Sequence, residues 1–325
     1  MKFKLSHLDK QLRVVGGLLQ PITQVKSPKT FKKVQWLYKK LYAKKRPKSD
    51  DIFYREEWIK GNAGNKIRLC IYGPKNSTTT KPITGLLWLH GGGYANGLPE
   101  QETGTIEEFI HTSETIVIAP DYRLSIEAPF PAALEDAYAS LLWMKNNAKT
   151  LGINENQLFI GGESAGGGLT CCLSAYAKDK GEVNIAYQIP LYPMLDDRMQ
   201  TPSMQDNNGP LWNITSNKTA WKLYLGTAFK TDDVSVYAAP ARLNTYAGLP
   251  PTYSFVGREE PFYDETKNYI EQLQKAGIRA QLDVYQGVFH AFDLVVPKAK
   301  ISKKAHHNLM KNYKMATKTF YQSQN

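Results

Sequence analysis

A short apolar run, Gln157-Leu158-Phe159-Ile160, ends in Gly161-Gly162 and passes through Glu163-Ser164 directly into a helical pattern. Leu169, Cys172, Leu173 and Tyr176 recur at helical spacing, which predicts a helix from Ala165 to Lys178. A buried strand that feeds a helix through so few residues belongs in a parallel sheet covered by helices. The same alternation recurs along the chain. Thr84–Leu89, Thr252–Val256 and Gln281–Tyr285 read as strands, and Phe262–Ala276 reads as a helix stopped by Gly277. The expected fold class is α/β, with a mostly parallel central sheet flanked by helices.

The strand-to-helix junction matches G-x-S-x-G over Gly162–Gly166. Such a turn holds its serine in a strained conformation, and glycines at both flanks remove the β-carbons that would collide across it. The hydroxyl then projects at a helix N-terminus, where free N–H groups favour developing negative charge. Upstream, the strand ending at Leu89 runs into His90-Gly91-Gly92-Gly93-Tyr94. Consecutive glycines present backbone N–H groups unobstructed, and with the N–H of Ala165 they suit an oxyanion. A phosphate loop is disfavoured, because neither G-K-[ST] nor G-x-G-x-x-G follows. His90 reads as a brace for this loop and not as the base.

His290 follows the last strand, between Phe289 and Phe292, where it could take the serine proton and return it to a leaving group. Glu260 stands in the loop after the strand at 252–256, just before Pro261, and is the preferred carboxylate to orient the imidazole. Glu259 and Asp264 are the alternatives, and Asp293 also lies near the two loops.

Two further runs, Asp121-Tyr122-Arg123-Leu124 and Glu127 to Asp136 (EAPFPAALED), form a second signature that fits an anchor for the loop beside the glycine turn. On all these motifs the chain resembles the hormone-sensitive-lipase family of α/β-hydrolases, the bacterial family IV carboxylesterases. The resemblance implies an α/β-hydrolase fold with a helical cap. It implies a serine carboxylesterase acting on short- to medium-chain esters through an acyl-enzyme on Ser164, with His290 as base and Glu260 as acid. The oxyanion N–H groups would then belong to Gly92, Gly93 and Ala165. The family usually has Asp-Pro-Leu where this chain has Glu260-Pro261-Phe262, so the carboxylate sits on a longer arm. The resemblance also implies a small-molecule ester as partner and no cofactor, and it allows a homodimer through the last sheet edge. Amidase, deacetylase or peptidase activity would use the same groups. A non-catalytic ligand-binding role is disfavoured by the presence of both Ser164 and His290.

The organisation follows. Residues 1–50 predict two amphipathic helices joined around Pro21 to Pro28, with Leu5, Leu8, Leu12, Val15, Leu18 and Leu19, then Phe31, Val34, Leu37, Tyr38 and Leu41, at helical intervals. They are assigned to a cap, and 51–325 to the catalytic domain. That domain opens with a hairpin, 51–60 and 66–72, around Gly61-Asn62-Ala63-Gly64. Residues 193–230 break the strand–helix rhythm and read as a second cap segment, with a helix from Ser216 to Phe229. Tyr94, Leu211 and Trp212 are candidate substrate-pocket walls, with Met199, Met204 and Tyr224 beside them.

Charge is unevenly placed. The net charge is +11, and residues 1–60 hold 16 Lys and Arg against 5 Asp and Glu, while 297–325 hold 7 Lys and no acid. With no nucleic-acid motif beside them, these read as solvated lysines, and no nucleic-acid partner is expected. No apolar run reaches the roughly 18 residues of a membrane span, so no stable membrane insertion is expected. Asp9, Lys10 and Arg13 interrupt any signal core, and three cysteines give no disulfide framework; a cytoplasmic protein is expected. Cys171 and Cys172 read as packing residues, and no Cys/His cluster has the spacing of a metal site.

Overall fold

The computed structural model describes residues 3–62 and 64–324. β1 (Ile52–Lys60) and β2 (Lys66–Pro74) form the expected antiparallel hairpin; Ala63 of its turn lies outside the described residues. β3 (Ile83–Leu89), β4 (Thr115–Asp121), β5 (Ile153–Glu163), β6 (Tyr187–Leu191), β7 (Thr252–Gly257) and β8 (Ala280–Tyr285) then run parallel to one another. The spatial order is β1-β2-β4-β3-β5-β6-β7-β8, with β2 antiparallel to β4.

Ten helices surround this sheet among the described residues. They are α1 (Lys10–Leu19), α2 (Pro28–Tyr42), α3 (Thr103–Thr112), α4 (Ala132–Asn146), α5 (Ala148–Leu151) and α6 (Ala165–Lys180), followed by α7 (Ile214–Leu225), α8 (Tyr263–Lys275), α9 (Phe292–Val295) and α10 (Lys300–Thr319). The period-two alternation of the strands sorts the core into two layers. In β3, Leu87 and Leu89 join the α4 and α6 side, while Leu86 and Trp88 join the side of α3 and α10. There Trp88 packs on Phe109 at 4.9 Å and Phe109 on Tyr313 at 4.6 Å between ring centres. The central strands are apolar on both faces because both faces are covered.

Two expectations need adjusting. The helix read over 216–229 spans Ile214–Leu225, because Gly226 takes φ +57° and ends it, and a short 3-10 turn follows. In α1 and α2 the apolar positions are not all inward. Leu12 and Phe31 are buried, but Leu18, Leu37 and Leu41 are exposed. On α2 the buried side is set by Phe31 and Gln35, one turn apart; Leu37 falls on the opposite side and Leu41 on the flank. No helix among the described residues is long and apolar enough to cross a membrane.

The N-terminal segment and the segment around α7 are tied to each other. Leu211 N donates to Thr23 Oγ1 at 2.9 Å, Val25 N donates to Ser216 Oγ at 2.9 Å, and Phe31 packs 6.4 Å from Trp212.

Candidate active site

Strand register brings the candidate residues to one end of the sheet. β3 and β5 pair Leu89 with Gly162, so the His90 loop leaves the sheet beside the Ser164 turn. β7 and β8 pair Gly257 with Tyr285, which sets the Glu260 loop beside the His290 loop. All four strands are parallel, so all four loops emerge at their C-terminal ends, where open α/β sheets assemble sites.

Ser164 has φ +56° and ψ −117°, a conformation that L-residues rarely adopt. It is held by Ser164 N donating to Leu191 O, and by its own carbonyl accepting from Gly168 N and Met194 N, at 2.9 to 3.0 Å. A β-carbon on Gly166 would collide with the carbonyl oxygens of Leu89 and His90. Ser164 Oγ lies 2.8 Å from His290 Nε2, and His290 Nδ1 lies 2.5 Å from Glu260 Oε2. Nδ1–H therefore donates to the carboxylate, and Nε2 accepts from the hydroxyl. Glu260 is buried and its other oxygen accepts from Gly257 N at 2.8 Å, so both oxygens are committed. The imidazole sits edge-to-face with Tyr192 and Phe262, each at 5.1 Å, and 6.4 Å from Trp212.

The alternative acids are engaged elsewhere. Asp264 accepts from Ser203 N at 2.6 Å and tethers the 203 loop to the start of α8. Glu259 faces His7 at 3.4 Å. Asp293 accepts from Tyr192 Oη at 3.4 Å and approaches His306 at 3.5 Å.

Gly92 and Gly93 adopt φ +126° and +63°. A β-carbon on Gly92 would collide with Asn96 O, and one on Gly93 with the Trp212 ring. Among the described residues the N–H groups of Gly92, Gly93 and Ala165 reach no protein acceptor. The loop is clamped from several sides. His90 stacks on Tyr122 at 4.1 Å, Tyr122 Oη donates to His90 O at 2.7 Å, and Ser125 N donates to Tyr94 O at 2.7 Å. Arg123 in turn donates from Nε and Nη2 to the buried carboxylate of Asp136 at 2.9 Å. The second signature thus anchors the glycine loop, as its position suggested. His90 is neutral: burial lowers its pKa to about 4, and Nδ1–H donates to Gly91 O at 2.9 Å.

The candidate pocket residues separate. Trp212 lies against Gly93 and His290, with Nε1 donating to Asn217 at 3.0 Å. Leu211 is partly exposed, with φ +66°. The Tyr94 ring is fully buried, stacked on Tyr224 at 3.9 Å. Of the eight non-glycine residues with positive φ among those described, Tyr94, Ser164, Tyr192, Leu211 and Ala291 belong to or adjoin this constellation. Backbone strain of that kind persists where the surroundings over-determine it, and it concentrates at functional sites.

Two features were not predicted from residue pattern. Gln35, buried on α2, donates from Nε2 to Gly97 O at 2.9 Å and accepts from Gly97 N at 2.8 Å, beside Asn96 Nδ2 donating to Phe31 O at 2.7 Å. A glutamine one turn after Phe31, on the apolar side of the helix, was the available signal. Behind Ser164, the fully buried carboxyls of Glu163 and Glu102 face one another, and burial pushes both upward. The charge of Glu102 pushes Glu163 further in the same direction.

The alpha/beta hydrolase fold model matches residues 86–294. The chain belongs to the hormone-sensitive-lipase family of α/β-hydrolases. Esterase LipI of Mycobacterium tuberculosis is 29% identical over 235 residues, 72% of this chain and 73% of that protein. Carboxylic ester hydrolase LipN of the same organism is 31% identical over 242 residues, 72% of this chain and 62% of LipN. Among solved structures, a bacterial heroin esterase superposes with a TM-score of 0.88 at 32% identity, covering 96% of this chain and 99% of that one. The chain carries Glu260 beside His290, and Glu163 immediately before Ser164.

Proposed function

We propose that this carboxylic ester hydrolase cleaves short- to medium-chain esters through an acyl-enzyme on Ser164, with His290 as general base and acid and Glu260 as the orienting carboxylate. The observation that carries this reading is the continuous hydrogen-bonded line Ser164 Oγ, His290 Nε2, His290 Nδ1, Glu260 Oε2. Its Ser164 end adjoins the N–H groups of Gly92, Gly93 and Ala165, which have no protein acceptor among the described residues.

Ser164 Oγ attacks the ester carbonyl carbon and its proton passes to His290 Nε2. The carbonyl oxygen becomes an oxyanion held by the N–H groups of Gly92, Gly93 and Ala165. Each such donor supplies on the order of 3 kcal/mol to the transition state. Collapse breaks the C–O bond, and the imidazolium gives its proton to the departing alcohol. Water, activated by the same imidazole, then releases the acid and restores Ser164. Glu260 holds the tautomer and stabilises the imidazolium throughout.

Trp212 supports a preference for small acyl groups: its indole closes against Gly93 and His290, leaving an aromatic wall near the nucleophile. The segments at 1–50 and 193–230 would act as the cap, since they meet over this wall. Tyr94 would position the glycine loop through its stack on Tyr224, leaving Trp212 and Leu211 to face substrate.

Hydrolysis of p-nitrophenyl esters from acetate to palmitate, by wild type and Ser164→Ala, tests the proposal. Activity peaking at short chains and absent from the variant is expected. Comparable turnover by Ser164→Ala, or a maximum at palmitate, would contradict it. Cleavage of p-nitroacetanilide in preference to p-nitrophenyl acetate would reassign the activity to amides.

A further inference from the structure

From Lys10 to Ser49 the chain carries twelve Lys and Arg and no Asp or Glu. These residues form α1, α2 and the link between them, and they expose Val14, Leu18, Ile22, Trp36, Leu37 and Leu41, each 46–75% accessible. They are six of the ten large apolar side chains left exposed among the described residues, so the apolar surface is gathered here and not scattered.

Each helix turns these residues away from its own buried side. On α1, Val14 and Leu18 stand opposite Leu12 and Gly16, the residues that face inward. On α2, Lys33, Trp36, Leu37 and Lys40 stand away from Phe31 and Gln35, and Leu41 is exposed at the flank. Both inner sides rest on the candidate site: Gly16 abuts Phe289, and Phe31 packs on Trp212. Both outer sides therefore look away from the sheet, over the site. Lys40 Nζ lies 4.0 Å above the Trp36 ring, setting cation and apolar surface side by side. Among the described residues Arg46 pairs with Glu56, but Lys10, Lys32, Lys33, Lys39, Lys40 and Lys44 pair with no carboxylate.

An apolar stripe rimmed by unpaired lysines is the composition of a helix that lies in the interface of an anionic membrane. Charge argues against a second copy, because two such faces would oppose twelve cations with twelve more. We propose that the outer face of α1 and α2 docks peripherally on an anionic lipid surface. Leu18, Trp36, Leu37 and Leu41 enter the headgroup–acyl boundary, and the lysines meet the lipid phosphates. The proposal stands apart from the ester chemistry, since docking does not require turnover.

The test is sedimentation of the full chain with vesicles of phosphatidylcholine alone and of phosphatidylcholine mixed with phosphatidylglycerol. Two variants accompany it: the charge reversal Lys32→Glu/Lys33→Glu/Lys39→Glu/Lys40→Glu and the apolar removal Leu37→Ser/Leu41→Ser. Unchanged circular dichroism and melting establish that each is folded. The wild type should partition onto the anionic vesicles and not the neutral ones. Charge reversal should lower that partition by at least about a hundredfold, and the serine pair by about tenfold or more. Equal partition onto both vesicle types, or folded variants that bind like wild type, would overturn the proposal. So would a concentration-dependent dimer, abolished by the serine pair, in a protein that ignores vesicles: the face would then belong to a second copy.

Discussion

The side-chain amide of Gln35 grips Gly97 by both its N–H and its C=O, so helix α2 is bonded directly to the loop that carries Gly92 and Gly93. The covering helices and the proposed oxyanion donors are thereby one mechanical unit. Gln35→Ala leaves the N–H and C=O of Gly97 without their partner, at a cost of about 1–3 kcal/mol per group before the loop relaxes. We expect a lower melting temperature and a fall in kcat/KM of about tenfold or more, because the donors are no longer held in place. Thermal melts and p-nitrophenyl acetate kinetics on the same preparation check this. Loss of stability with unchanged kcat/KM would make Gln35 a packing residue only.

Glu260 and Asp264 offer a clean contrast. Glu260→Gln keeps the shape but removes the charge beside His290 Nδ1, and kcat should fall by roughly three to four orders of magnitude. Asp264 accepts from Ser203 N and does not touch the imidazole, so Asp264→Asn should retain most of its turnover. The opposite ranking of the two rates would assign the acid to Asp264.

The glycines of the loop differ in what surrounds them. At Gly92 a β-carbon meets a backbone carbonyl, that of Asn96, while at Gly93 it meets the Trp212 side chain. Both Gly92→Ala and Gly93→Ala should lower kcat by about a hundredfold or more. Adding Trp212→Ala should recover part of the loss at Gly93 and none at Gly92. Recovery at both positions, measured as kcat on a short ester, would show that the tryptophan acts by something other than contact with Gly93.

These contrasts mark where the sequence was legible. Ser164, Glu260 and His290 each follow an apolar strand closed by a glycine or a turn, so their placement rests on local pattern. The parallel sheet then brings them together without further information. Pro261 separated Glu260 from its neighbours, and the structure carries Glu260, not Glu259 or Asp264, to His290. Gln35 could not be found that way, since its partner Gly97 is 62 residues distant. Periodicity grouped Leu37 and Leu41 with the apolar residues of α2, but it does not say which side of a helix its neighbours cover. The Glu102–Glu163 pair likewise comes from separate elements that only folding brings face to face.

His306 on α10 supplies a pH dependence. Burial lowers its pKa, but the Asp293 carboxylate 3.5 Å away and the hydrogen bond to Glu108 at 2.7 Å outweigh burial and raise it to about 10 from 6.5. A histidine raised on folding contributes its stability fully below pH 6.5 and loses it as pH climbs through the folded value. Wild type should therefore lose a few kcal/mol, at most about 5, between pH 6.5 and 10 that His306→Gln never had. Denaturant titrations of both proteins across that window check the difference. Parallel curves would show that the imidazole is not charged in the folded protein.

The central claim, a covalent acyl-enzyme on Ser164 activated by His290, is tested most directly by labelling with a fluorophosphonate and locating the adduct by peptide mass spectrometry. The expected result is one adduct on Ser164, absent in Ser164→Ala and formed at a rate lowered by orders of magnitude in His290→Ala. An adduct on another residue, or ester turnover that survives complete labelling of Ser164, would contradict the account.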